Sequence, residues 1–167
     1  AELAAVARRR GLSVEVQTAF CAGTSAEVIC VATHTRAFMP AEAARIVSEV
    51  TRAVRAVEPR WIFKKCDSVL RGPVLAEARA VAAVMGREKL TLISANPSRE
   101  RFVKAGEFWV NGRRLHETDF ARDPENPRTT SRVMDLLSGD LTNVHVPDIT
   151  SMAGLDMIAK TLGEDRL

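Results

Sequence analysis

From Pro40 to Glu58 apolar residues recur at three- and four-residue steps, at Ala43, Ile46, Val47, Val50, Val54 and Val57, while Arg45, Glu49, Arg52 and Arg55 take the other faces. That spacing predicts an amphipathic helix. Upstream, a helix over 1–10 stops at Gly11, and Leu12, Val14 and Val16 then alternate with Ser13, Glu15 and Gln17, as in a strand near a sheet edge with one wetter face. The unbroken apolar run Val28-Ile29-Cys30-Val31-Ala32 predicts a central strand with both faces covered. A strand over 60–64, a helix over 73–85 opened by Pro73, and a strand over 89–94 continue the alternation. A short helix over 131–138, a strand over 143–146 and a helix over 151–162 complete it. Such alternation predicts an α/β fold of three layers, a mostly parallel sheet flanked by helices with right-handed crossovers.

The segment 96–127 breaks the rhythm. Pro97, Gly106, Gly112, Pro124 and Pro127 punctuate it, and Asn111-Gly112 stands between Glu107-Phe108-Trp109-Val110 and Arg113-Arg114-Leu115. Asn and Gly both accept positive φ, so this step predicts a hairpin turn inside an insertion. A long irregular stretch in a compact domain is usually functional or mobile, so the segment is expected to be a mobile cover rather than core.

Composition narrows the class. A chain of 167 residues with 46% hydrophobic content supports one real core. Its 24 basic and 21 acidic residues are interspersed, and a net charge of +3 does not favour nucleic-acid binding. Cys21, Cys30 and Cys66 form no CxxC pair and leave one thiol over under any disulfide scheme, which suits a reducing cytosol. No run approaches the ~20 apolar residues of a membrane span, and no signal-peptide pattern opens the chain. A cytoplasmic protein without a membrane partner is expected.

Chemistry concentrates in Lys64-Lys65-Cys66-Asp67-Ser68-Val69-Leu70-Arg71-Gly72-Pro73, a polar strand-to-helix loop of the kind where α/β proteins bind ligands. Asp67 and Ser68 also suit a turn or cap, because both bond backbone donors. Strand alternation sends Lys64 and Lys65 to opposite faces; Lys65 is favoured for a ligand, with Lys64 facing solvent or a carboxylate. His116, Glu117 and Asp119 do not match HExxH, so no metal site is predicted. Neither GxxxxGK[ST] nor GxGxxG occurs.

Lys64-Lys65 with Asp67-Ser68 and Arg71-Gly72, together with Thr33-His34-Thr35-Arg36, Ala95-Asn96-Pro97 and the stretch from Val110 to Pro124, resembles the amino-terminal, substrate-binding domain of the four-carbon acid sugar kinase family. Two departures stand out. The chain starts at Ala1-Glu2-Leu3-Ala4, in what looks like the helix that follows the family's first strand and Asp-Asp turn, and no segment the size of the family's carboxy-terminal, ATP-binding domain follows Leu167. The resemblance makes residues 1–167 the acid-sugar-binding domain of such an enzyme.

What the resemblance implies is transfer of the γ-phosphoryl group of ATP to a hydroxyl of a threonate, erythronate or 3-oxo-tetronate type acid. ATP and Mg2+ would be bound mainly by the absent domain, and the 167 residues alone would be inactive. A sugar acid requires a planar cation for its carboxylate and acceptors for its hydroxyl protons, and Arg36, Lys65, Asp67, Ser68 and Arg71 supply them. Arg36 follows the 28–32 strand, and both loops open on one edge of a parallel sheet. The resemblance adds Gly72 and Asn96 to the substrate-binding set, makes 96–127 the cover, and makes Asp67 a candidate catalytic residue, with the missing acidic turn an equal candidate for the base. The alternative is a non-catalytic sugar-acid-binding module. A weaker reading is a nucleic-acid or phosphorylated-metabolite binder using Arg99, Arg101, Lys104, Arg113 and Arg114. Homo-oligomerisation is left open.

Overall fold

The computed structural model describes residues 2–164. Helix α1, Glu2–Arg9, ends at Gly11, whose φ of 82° lets the chain turn back while its N–H and that of Leu12 satisfy the carbonyls of Arg8 and Ala7. Strand β1, Val14–Gln17, then pairs in parallel with β2, Val28–Val31, and α1 lies against both. Helix α2, Pro40–Arg55, carries Pro at its first turn and buries Ala43, Val47 and Thr51. Its principal neighbour is α3, Val74–Val84, which buries Val74, Leu75, Glu77, Ala80 and Ala82.

Beyond α3, β3, Leu90–Thr91, pairs in parallel with β7, Val144–His145. Strands β4, Arg101–Lys104, β5, Glu107–Val110, and β6, Arg113–Arg114, form an antiparallel meander. Helices α4, Val133–Leu136, and α5, Met152–Glu164, finish the chain. The class is the expected one, α/β with parallel pairing flanked by helices. Among the described residues no helix is long and apolar enough to cross a membrane.

Four expectations are corrected. Residues 60–64 form no strand: exposure alternates, with Trp61, Phe63 and Lys65 outward and Ile62, Lys64 and Cys66 half-buried, but no ladder forms. Apolar alternation reports fit to a pleated surface and not the presence of a hydrogen-bonded neighbour. Consequently β2 is not central; among the described residues it bonds only β1, and its four residues are all half-buried. In β1 the faces are also reversed, with Val16 55% exposed and Gln17 buried, because the Gln17 amide closes the following turn by accepting from the Cys21 N–H and donating to the Cys21 carbonyl.

The fourth correction concerns 96–127. Val103, Phe108, Val110 and Leu115 from this segment are buried in the main core with Val69, Leu70, Leu75, Ala95, Val133 and Ile149. The meander is scaffold, not cover. Asn111 and Gly112 have φ of 50° and 75°, as the predicted hairpin turn requires. A second such turn, Ala105-Gly106 with φ of 52° and 71°, joins β4 to β5, and its two N–H groups donate to Asp148. Val103 bonds Ile149 in both directions, tying the meander to the far end of the chain.

Candidate functional site

After residue 66 the chain makes a tight turn. The Leu70 N–H donates to the Asp67 carbonyl, Leu70 takes a left-handed φ of 61° with its side chain buried, and Gly72 follows at φ 78°. Left-handed backbone in a bulky residue is strained and persists only where its surroundings hold it. Here the Asp67 carboxylate does so. Its Oδ2 accepts the N–H groups of Val69 and Arg71 at 3.1 and 3.2 Å, and the Arg71 guanidinium grips it bidentately, Nε to Oδ2 and Nη2 to Oδ1, both at 3.0 Å. Arg128 donates to the Leu70 carbonyl from the other side at 2.9 Å.

The third guanidinium nitrogen of Arg71 reaches Asp123 Oδ2 at 2.9 Å, and the Phe120 ring lies 5.8 Å beneath the cation. Arg71 therefore ties the 119–126 loop to the turn. Asp123 in turn accepts the N–H of Asn126, and the Asn126 carbonyl oxygen of the side chain accepts the N–H of Gly72 at 3.3 Å. Burial alone would raise the Asp67 carboxyl, but hydrogen bonds from Arg71 and the Val69 and Arg71 amides outweigh it and hold it below the usual carboxylate range. Asp123 is held low by the Asn126 N–H and by Arg71, and Arg71 is raised, chiefly by its bond to Asp67. Burial pushes the Cys66 thiol up against the pull of Lys65 and Lys64, so it rests as a neutral thiol.

Arg36 approaches from the loop after β2. Its Nη1 lies 3.7 Å from Asp67 Oδ1 with the side chain 55% exposed. Gly72 permits this approach, since a Cβ there would stand 2.5 Å from the Arg36 carbonyl oxygen. Between the two segments opens a cleft of about 470 Å³ lined by Arg36, Phe38, Gly72, Pro73, Asn126 and Leu137, among others. The start of α3, with its N–H groups and positive dipole end, forms one wall.

Of the residues singled out from sequence, Arg36, Asp67, Arg71 and Gly72 are brought together. Ser68 is half-buried within the turn, and its hydroxyl makes no hydrogen bond among the described residues. Lys65 is exposed, its amine bonded only to the Cys66 carbonyl. Asn96 accepts from Ser98 and pairs through its backbone with Arg101, with no hydrogen bond or ion pair to the Asp67–Gly72 turn. Lys64 turns inward and pairs with Glu77 of α3. Nothing in the sequence pattern marks Glu77, Asn126 or Arg128. Glu77 sits in an apolar helix and the other two in a loop of ordinary polar composition, so only their long-range partners mark them.

The chain is 31% identical over 147 residues to the D-erythronate kinase of Heliobacterium modesticaldum and 36% identical over 113 residues to the D-threonate kinase of Bordetella bronchiseptica. These alignments cover 86% and 67% of this chain but 34% and 28% of those proteins. The chain thus spans about a third of the length of these relatives. A crystal structure of a Bordetella bronchiseptica domain of unknown function, a domain-swapped dimer with bound citrate, matches 96% of this chain and 47% of that one, with a TM-score of 0.83 and 28% identity. A Salmonella typhimurium structure described as a putative tRNA synthase matches 98% of this chain and 48% of that one at a TM-score of 0.84, but at 15% identity it bears on the fold alone. The family model described as the sugar-binding N-terminal domain matches residues 1–166, and the chain belongs to that family.

Proposed function

We propose that the chain is the acid-sugar-binding part of a cytoplasmic, ATP-dependent kinase acting on a four-carbon sugar acid of the threonate or erythronate type. The observation that carries this reading is Arg36, held by Gly72 at the lip of a small open cleft with its guanidinium half-exposed. Arg71, by contrast, has each of its three guanidinium nitrogens bonded to Asp67 or Asp123. A ligand carboxylate then pairs with Arg36, aided by Lys65, while Ser68, Asn126 and the N–H groups at the start of α3 serve its hydroxyls. The relatives' names support the substrate class. So does the citrate of the Bordetella structure, a hydroxylated carboxylate.

In this reading Asp67 works by orienting Arg71. A carboxylate with both oxygens engaged and a lowered pKa is a poor acceptor for a hydroxyl proton. Among the described residues no group of three or more His, Cys, Asp or Glu side chains could hold a metal ion. In this reading ATP and Mg2+ are bound mainly by a further domain of the complete kinase, as the resemblance to the four-carbon acid sugar kinases implies.

Calorimetric titration with D-threonate and D-erythronate tests the reading. Arg36→Ala should weaken binding by about 1.5 to 3 kcal/mol, the range of a hydrogen bond to a charged group, without changing the fold. Unchanged affinity would remove Arg36 from the site. Tight binding without any ATP consumption by the full-length protein would favour a non-catalytic binding module instead.

A further inference from the structure

Glu77 is the only acidic residue of α3, and it is 7% exposed. A carboxylate is costly to bury unless it is paired and hydrogen-bonded, and an apolar side chain would cover this helix face without that cost. Its two oxygens are shared between two loops. Oε1 accepts the Thr35 hydroxyl at 2.6 Å, and Oε2 pairs with the Lys64 amine. Thr35 is itself buried, and its hydroxyl lies 3.0 Å from that of Thr33.

Each partner adjoins a cation of the proposed site. Thr35 precedes Arg36 and opens the short 3-10 turn Thr35–Ala37, whose closing bond runs from the Phe38 N–H to the Thr35 carbonyl. Lys64 precedes Lys65, and in an extended segment a side chain pinned inward sends the next one outward. The helix that carries Glu77 begins two residues after Gly72. One carboxylate thus fixes three segments relative to one another: the loop after β2, the approach to the Asp67 turn, and α3.

We propose that Glu77 is a positioning residue, which sets Arg36 and Lys65 for a sugar-acid carboxylate by holding Thr35 and Lys64. The proposal rests on the sugar-acid reading for its ligand, but the coupling of the loops through Glu77 has its own signature in the ligand-free protein.

The test uses Thr35→Val, Thr35→Ser and Glu77→Gln in the full chain, with hydrogen exchange in the absence of ligand and titration with D-erythronate and D-threonate. Thr35→Val removes one hydrogen bond to a charged group, so exchange at the Phe38 amide should rise, and affinity fall, by about tenfold or more, while amides of α2 and β5 stay as in the wild type. Thr35→Ser keeps the hydroxyl and should restore both. Glu77→Gln can still accept from Thr35 but loses the ion pair, so it should weaken binding with a smaller change at Phe38. Unchanged exchange in Thr35→Val overturns the coupling. Faster exchange with unchanged affinity overturns the positioning role. Wild-type protein that binds neither acid removes the sugar-acid reading and the positioning role with it, and the exchange comparison then decides the coupling alone.

Discussion

A Cβ built on Gly72 would lie 2.5 Å from the Arg36 carbonyl oxygen and 3.0 Å from its Cγ, at a φ of 78° that L side chains rarely adopt. Both the backbone angle and the backbone contact resist a methyl group. Gly72→Ala should therefore cost more than about 1 kcal/mol, read as a lower denaturation midpoint, and should weaken sugar-acid binding by moving Arg36. At Asp67 and Asp123 the folded-state carboxyls titrate below their ordinary values because Arg71 and backbone N–H groups bind the charged forms. The stabilisation is present above the unfolded-state pKa and is lost as pH falls through the folded-state one. Melting of the wild type should drop as pH falls below about 5 and keep falling below the ordinary Asp range of about 4, and Asp67→Asn, less stable at neutral pH, should show a shallower drop. Parallel profiles would mean that Asp67 contributes no pH-dependent stability.

At the scale of elements, the β4–β5–β6 meander behaves as core. Phe108 is fully buried in the main core, and its N–H donates to the Ser131 carbonyl. Phe108→Ala should cost about 3 to 5 kcal/mol, and amides of β4 and β5 should exchange as slowly as those of α2; fast exchange there would restore a mobile cover. The reason this meander looked like a cover in sequence lies in its turns. Asn111-Gly112 is legible because both residues tolerate positive φ. Ala105-Gly106 is not, since alanine is a poor left-handed residue and its turn is held by Asp148, 43 positions away. The amphipathic α2 and the Pro73 opening of α3 were equally legible, being local patterns. The 60–64 strand failed because Trp61, Ile62 and Phe63 show the alternation of a half-buried strand, which reports burial on one side and not the formation of a ladder. The site divides along the same line: Asp67, Arg71 and Gly72 lie within six residues, whereas Glu77, Asn126 and Arg128 matter only through the fold.

For the whole molecule, the cleft draws on residues 36 to 40, 72 to 76, 125 to 126 and 136 to 138, so no single element carries it. Its integrity depends on long-range closures, among them Arg71 to Asp123 and Thr35 to Glu77. A late closure in assembling that frame concerns Val103. Its backbone exchanges two hydrogen bonds with Ile149, just as Leu90 waits for Val144. Closing loops of this length is an entropic cost met before the contacts return anything. During synthesis, a chain that has already made α2, α3 and the meander still presents the open edges of β3 and β4 until residue 149 has emerged. A polypeptide released before that point would keep those edges unpaired and would be prone to pair with another copy of itself.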